Sequence, residues 1–538
     1  MIISDKEFFA IVRAASSCED FLHRKKREPC SMAGAARTSS GLRGALSERL
    51  RVEIPVWANE LREMFDALPM FEFSSRNASP LHKLCKCGAR YGSQKLEARA
   101  SLKPRTLLSQ KARAHLEREL ERRIARATKP CFTLELNAFR LAFRAIYSHR
   151  EIASLEVITE KFLGRKPCER LFPMFKRFPV LAKLWQVLIS QWIDETAELL
   201  LRFSADRSTL SRSFLASRSI DKIIDLRSGL SDPHNGGRTV TLIRCKGGSI
   251  IYKPRPGHGE QEWFKFVRHL NTKGLRPNLR AAKVLCRDGY CWMEEINYAR
   301  CKDHAAARRF YERLGATIAT AYLLRAVDCH RDNLIASGEY PVLIDAETLW
   351  HLSRGERAQS CLKALFQTGF IPASKQRSSL HYRSSILGRA DSGRHIPRIS
   401  GERLNASKYE REIVTGFRRA WQCTLGSRKQ RIEFTRLWRG GRPKQARWIF
   451  WPTESYAAIM RASIQPAALR SGIERDRLIA RLCTRSAVLR SILHEEINAL
   501  RQLDVPHFIR KIKLGPLRPE EDTPPTEIIE ALRRAAHL

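Results

Sequence analysis

The chain has 538 residues, and a 43% hydrophobic content with 10 Trp is the composition of a folded protein and excludes a disordered one. Lys and Arg outnumber Asp and Glu by 97 to 56, a formal charge of +41, which favours polyanionic partners such as nucleic acid, anionic lipid or an acidic peptide. Acids stand too early in MIISDKEFF for a signal peptide and no run of 18 apolar residues occurs, so secretion and membrane spanning are not expected.

Length alone suggests roughly two to four domains. The basic residues are spread along the chain, with His23 to Arg27 (HRKKR) as the longest block. No two-Cys, two-His finger and no RNP-like aromatic run appears, although the charge leaves nucleic acid open as a partner. The 14 cysteines are scattered, as expected of reduced thiols in a cytoplasmic protein. His82, Cys85 and Cys87 form the one tight cluster; it lacks a second ligand pair, so no zinc site is expected.

Residues 1–130 read as a basic, partly irregular region with a loop-like stretch from Glu28 to Ser47. From Gln110 to Thr128 the pattern becomes helical, with Leu116, Leu120 and Ile124 at four-residue steps. Residues 131–215 form a helical region (LNAFRLAFRAIY, then FPVLAKLWQVLISQWIDETAELLLRF) whose apolar spacing is that of packed helices. Residues 216–515 form the core of interest, and 516–538 a tail.

In that core the periodicity changes. IDKIIDL reads as a strand, SDPHNGG as a turn cluster, RTVTLIRC as an alternating strand, and SIIYK as its return past Gly247-Gly248. Lys253 ends this strand, PRPGHG breaks the chain, and EQEWFKFVRHL is helical. VLCRDGYCWMEEI reads as a further strand and FYERLGATIATAYLLRAV as a helix. The order matches a kinase-like amino-terminal lobe, in which the strand Lys holds nucleotide phosphates and a Glu of the next helix positions it. Glu260 and Glu262 are both candidates for that Glu.

Asp328 to Leu349, DCHRDNLIASGEYPVLIDAETL, carries phosphate-chemistry residue types at kinase-like spacing. Asp328 and Asn333 stand in Asp-x-x-x-x-Asn register, and Asp345 follows the apolar run Val342-Leu343-Ile344, with Glu347 two residues on. In kinase signatures the first acid handles the hydroxyl proton, while the Asn and the second acid hold Mg²⁺ through hard oxygens. His330-Arg331-Asp332 imitates the kinase triplet, but an Asp332 register would place the Asn at Ser337-Gly338, so Asp328 is the expected base. A polar loop capping a strand is the bland alternative.

Together SDPHNGGRTV, IIYKPR, YCWMEEI and DCHRDNLIASGEYPVLIDAETL resemble the dehydratase domain of class II lanthipeptide synthetases (the LanM family). TGFIP, RLCTRSAVLRSIL and LDVPHF follow weaker family patterns in the same order, so the resemblance covers roughly residues 170–510. It implies an α+β fold with a kinase-like, lipid-kinase-related two-lobed catalytic core behind an added helical region. It also implies ATP- and Mg²⁺-dependent phosphorylation of Ser and Thr in a leader-bearing precursor peptide, then phosphate elimination to dehydroalanine or dehydrobutyrine. Carried onto this sequence, Lys253 contacts the nucleotide, Asp328 is the base with His330 beside it, Asn333 and Asp345 bind Mg²⁺, and Glu347 supports the metal or nucleotide end. Asp232, His234 and Arg481 match the family's elimination set.

Two departures bear on this expectation. Where the family has Arg-x-x-x-Arg-x-Thr, this chain has Arg481, Arg485 and then Ala487, which removes a hydroxyl from the elimination set. Complete members continue into a zinc-dependent cyclase domain, whereas this sequence ends at Leu538, so ring closure is expected to need a separate cyclase. The competing readings are a kinase-like phosphotransferase that does not eliminate and a degenerate basic binding protein.

Overall fold

The computed structural model describes residues 3–16, 55–72, 79–99, 104–146, 155–215, 220–350, 361–372, 385–387, 393–439, 444–483, 490–512 and 523–537. The chain divides into two compact units: Met1–Ser211 with Ser217–Lys246 and Trp451–Pro506, and Arg212–Ala216 with Gly247–Phe450 and His507–Leu538. Helices joined with short antiparallel strands make it an α+β protein, as expected. Among the described residues no helix is long and apolar enough to cross a membrane.

The first unit is mainly helical. Helix α1 (Asp5–Ala15) starts on a capping box in which Ser4 Oγ accepts the Glu7 N–H and the Glu7 carboxylate accepts the Ser4 N–H. Its Phe8 meets Phe65 of α2 (Val56–Ala67) edge-on at 6.0 Å. Helix α3 (Pro80–Ala98) buries Cys85, Cys87, Gly88, Ala89 and Gly92 as well as Leu84 and Leu96. This face is built largely of small residues, which is why the segment reads as irregular: a period-3.6 search weighs large apolar side chains. The small face allows close approach, since a Cβ at Gly92 would stand 2.6 Å from Leu120 and one at Gly88 would stand 2.8 Å from the Trp185 ring.

Helix α4 (Gln110–Ile146) buries Leu116, Leu120 and Ile124, as their spacing predicts. It continues past Pro130, where the sequence divides a basic region from a helical one, and joins the two stretches into one helix. Helices α5 (Leu155–Leu163), α6 (Pro167–Arg177) and α7 (Pro179–Phe214) follow. Phe65 stacks on Phe175 at 5.5 Å and Phe175 meets Trp185 edge-on at 5.4 Å, tying α2, α6 and α7 together. Strands β1 (Ile223–Arg227) and β2 (Thr241–Cys245) pair antiparallel, and the SDPHNGG loop lies between them.

The second unit opens with β3 (Gly248–Lys253), then α8 (His258–Thr272), β4 (Val284–Arg287) and β5 (Tyr290–Glu294). The stretch VLCRDGYCWMEEI, expected as one strand, is a hairpin: β4 and β5 pair antiparallel around Asp288-Gly289, with Gly289 at φ 75°. An Asp-Gly pair between alternating apolar residues is a hairpin signal. Strand β5 also pairs with β3, placing Lys253 opposite Cys291.

Helix α9 (His304–Leu323) is buried along most of its length and packs against α10 (Glu410–Leu425). Two glycines bring these helices into backbone contact: a Cβ at Gly315 would stand 1.9 Å from Ile413 O, and one at Gly416 would stand 1.7 Å from Glu312 O. Between them in sequence, β6 (Leu334–Ser337) and β7 (Tyr340–Leu343) form a hairpin that packs into the same core. A last ribbon, β8 (Lys444–Trp448) with β9 (Phe508–Ile512), pairs segments far apart in sequence, with Arg447 opposite Ile509.

Candidate active site

Lys253 ends β3 and is only 4% exposed. Its Nζ donates to Glu260 Oε1 and to the Ile344 carbonyl, both at 2.7 Å, and lies 3.9 Å from Asp345 Oδ2. Glu260, wholly buried on the first turn of α8, is therefore the partner; Glu262 faces Lys265 at 3.7 Å instead. Gly259 makes this approach possible, because a Cβ there would sit 2.1 Å from the Ala346 carbonyl. Burial pushes the Lys253 ammonium down, but the carboxylates of Asp345 and Glu260 outweigh it and hold it above its ordinary range. The Glu260 carboxyl is pushed up by burial and drawn further down by Arg255 and Lys253, ending at about 2.

Two residues beyond the lysine, Arg255 joins three carboxylates. Its Nη2 donates to Glu260 Oε1 at 2.6 Å and to Asp345 Oδ1 at 2.7 Å, Nη1 reaches Glu260 Oε2 at 3.2 Å, and Nε lies 3.0 Å from Glu347 Oε2. Glu347 is gripped from its other side by Arg447, whose Nη1 donates to Oε1 at 2.6 Å and whose backbone N–H donates to the Glu347 carbonyl at 3.0 Å. His507 Nε2 is 3.6 Å from the same carboxylate. Burial alone would raise the Glu347 carboxyl, but these cations hold it well below its usual range. Sequence reasoning missed Arg255, Arg447 and His507; the only signals were the Arg of IIYKPR and the His of LDVPHF.

Asp328 adopts a left-handed backbone, φ 60°, uncommon for a residue other than glycine. Neighbouring segments hold the bend: Asn333 Nδ2 donates to the Asp328 carbonyl at 3.0 Å, and the Cys329 N–H donates to Thr368 O at 2.8 Å. Thr368 opens TGFIP, and Gly369 follows at φ 82°, its Cβ position 3.2 Å from Cys329 N. The Asp328 side chain reaches solvent, yet desolvation by the surrounding protein pushes its carboxyl up to about 6, against the opposing influence of His330 and Arg447 nearby. His330 Nδ1 accepts the Asp332 N–H at 3.3 Å and Asn333 Nδ2 lies 3.4 Å from its Nε2, so His330 caps the turn that carries Asn333. The carboxyl of Asp332 is 77% exposed.

The Ile344 N–H donates to Asn333 O at 2.8 Å, fixing the Asn333 segment to the one bearing Asp345. Asn333 and Asp345 offer amide and carboxylate oxygens, the hard donor type that Mg²⁺ takes when phosphates and water complete its shell. The second unit thus brings Lys253, Asp328, His330, Asn333, Asp345 and Glu347 into one neighbourhood.

Asp232, His234 and Arg481 belong to the first unit. Asp232 is exposed on the 231–237 loop, where Asn235, Gly236 and Gly237 all have positive φ. Successive N–H groups of such a turn converge into an anion-binding concavity. The carboxylate of Asp504, 2% exposed, fills it: Oδ2 accepts the Gly236 N–H at 2.6 Å and Oδ1 the Gly237 N–H at 3.0 Å. Burial pushes this carboxyl up to about 6 in spite of those donors. The next residue supports the histidine: His234 Nδ1 lies 2.7 Å from Val505 O and donates its N–H to that carbonyl. Behind the loop, buried Arg123 bonds Glu195 and the Gly237 carbonyl, at 2.9 and 3.0 Å. Arg481 stands exposed on the last turn of the helix Gly472–Cys483. Arg485 and Ala487 lie outside the described residues.

His82, Cys85 and Cys87 all sit on α3. His82 Nδ1 pairs with Glu121 at 2.6 Å, and burial pushes both thiols well up. Among the described residues no group of three or more His, Cys, Asp or Glu is placed to hold a metal.

A family model described as a domain of unknown function, DUF4135, matches residues 178–395 and 388–511, and the chain belongs to that family. The chain is also similar to the lacticin 481/lactococcin biosynthesis protein LcnDR2 of Lactococcus lactis subsp. lactis, at 20% identity over 383 residues. The match takes in 62% of this chain and 40% of the length of that relative.

Proposed function

We propose that this chain works in lanthipeptide biosynthesis as a peptide Ser/Thr dehydratase built on a kinase-like, two-lobed core. The observation that carries the reading is the buried Lys253–Glu260 pair, 2.7 Å apart and set against Asp345, with Asp328 and Asn333 on the adjoining loop. Similarity to a protein of lacticin 481 biosynthesis supports a precursor peptide as the substrate class, and the family resemblance of the motifs adds its leader. Bound MgATP would supply the phosphoryl group, its metal held by Asn333 and Asp345 and its phosphates met by Lys253. Asp328 takes the proton from the Ser or Thr hydroxyl as that oxygen becomes the phosphoester. A carboxyl at about 6 is mostly ionised at neutral pH and accepts a proton more readily than an ordinary aspartate.

The residues matched to the elimination set, Asp232, His234 and Arg481, lie in the first unit. A Cα proton must be taken while phosphate departs as a dianion. His234, its Nδ1 anchored on the Val505 carbonyl, and Asp232 handle the proton, while Arg481 meets the phosphate. Ala487 favours a second reading, phosphotransfer without elimination, because the hydroxyl expected beside the leaving phosphate is missing.

The test is mass analysis of a Ser/Thr/Cys-rich peptide encoded beside this gene, incubated with the protein, ATP and Mg²⁺. Dehydrated product supports the first reading, and accumulated phosphopeptide supports the second. Absence of ATP-dependent mass change, together with steeply salt-dependent polynucleotide binding, would instead mark a basic binding protein. Asp345→Asn is expected to abolish transfer.

A further inference from the structure

We propose that Arg255 makes Asp345 a one-oxygen metal ligand and thereby selects Mg²⁺ over Ca²⁺, an inference that rests on the phosphotransfer reading. Arg255 Nη2 holds Asp345 Oδ1 at 2.7 Å. The other carboxylate oxygen, Oδ2, has Lys253 Nζ at 3.9 Å, beyond hydrogen-bond reach, and 27% of the side chain remains exposed. Oδ1 thus carries a guanidinium hydrogen bond, while Oδ2 is left outside hydrogen-bond reach of the lysine.

The commitment is firm because Arg255 is anchored on every side. Its Nη2 and Nη1 hold the two oxygens of Glu260, and Nε is 3.0 Å from Glu347. Its side chain is 13% exposed. Swinging away from Asp345 would also strain contacts to two buried carboxylates, and uncompensated buried charge is strongly unfavourable. A planar fork can satisfy three acids at once; an ammonium cannot do so with fixed directions.

The two cations differ in what they ask of a carboxylate. Mg²⁺ is small, near-octahedral, and takes single oxygens from one or two carboxylates beside phosphates and water. Ca²⁺ prefers a larger shell and often draws both oxygens of a carboxylate. An Asp345 whose Oδ1 already accepts from Arg255 meets the first demand and serves the second poorly, because a cation drawn onto Oδ1 as well would be pressed against the guanidinium. Arg255 is a positioning and specificity-determining residue here, acting through Asp345 without touching the metal.

The test titrates MgCl₂ and CaCl₂ separately, by calorimetry, into protein with a non-hydrolysable ATP analogue, and compares the ratio of the two Kd values. Arg255→Met is expected to move that ratio toward Ca²⁺ by about tenfold or more, the scale on which groups that orient metal ligands act. Arg255→Lys keeps a positive charge beside Glu260, guards against a folding failure, and is expected to shift the ratio in the same direction. Equal weakening of both metals, or an unchanged ratio in a folded variant, overturns the proposal while leaving the phosphotransfer reading standing. A wild-type protein without metal-dependent binding of the analogue overturns both.

Discussion

Glu260→Gln, compared with Glu262→Gln, is the sharpest perturbation of the site. Glu260 is fully buried and receives Lys253 at 2.7 Å and Arg255 at 2.6 and 3.2 Å. A neutral amide leaves two buried cations short of a counter-charge, and removing one partner of a buried ion pair costs about 3–5 kcal/mol. At roughly 2–4 °C per kcal/mol for a unit of ordinary domain size, melting of the second unit should fall by about 6–20 °C. Glu262, half-buried with Lys265 at 3.7 Å, should change stability by less than about 0.5 kcal/mol. The pH dependence follows from the depressed carboxyl. Its folded value is about 2 against an ordinary 4.5, so its contribution is full above pH 4.5 and is lost as pH falls toward 2. The gap between wild type and Glu260→Gln should therefore narrow across that window. Thermal melts with amide exchange over α8, where buried Trp263 also reports, measure it. Equal melting of the two variants, or a gap that stays constant down to acid pH, would refute the reasoning.

Three further outcomes are expected. Gly416→Ala gains about 1 kcal/mol of helix propensity but drives a Cβ to 1.7 Å from the Glu312 carbonyl, so the urea midpoint should fall by well over what propensity adds; a raised midpoint would contradict the α9–α10 packing. Asp504→Ala leaves the Gly236 and Gly237 N–H groups buried without their acceptor, at about 1–3 kcal/mol, and should reduce their exchange protection roughly ten- to a hundredfold; unchanged protection would mean the loop is held elsewhere. Affinity for heparin, a polyanion, should drop steeply between 50 and 200 mM salt, as counterion release requires of a chain at +41; a flat response would mean that its charge is internally neutralised.

What the sequence determined by itself was the local part of this protein. Alternation and glycine turns located β1 to β3, four-residue apolar steps located the buried face of α4, and the Asp328–Asn333 interval with the Val342–Ile344 run marked a loop and strand that the structure sets beside Lys253 as a candidate site. Each of these is a property of neighbours within one turn or one pleat, so a linear pattern carries it. The face of α3 escaped because small residues outnumber its large apolar ones, and the β4–β5 turn escaped although its Asp-Gly pair is a hairpin signal, because the whole stretch reads as one strand.

Tertiary structure alone decided which charges meet. Glu260 and Glu262 stand on one helix with the same chemistry, and only the approach permitted by Gly259 gives Lys253 to the first. Arg447 reaches Glu347 across 100 residues, and Asp504 reaches Gly236 across 268. In a chain with 97 basic residues nothing local separates Arg255 or Arg447 from a solvated surface cation. Burial makes the difference, since a charge taken out of water persists only where folding brings its counter-charge alongside it.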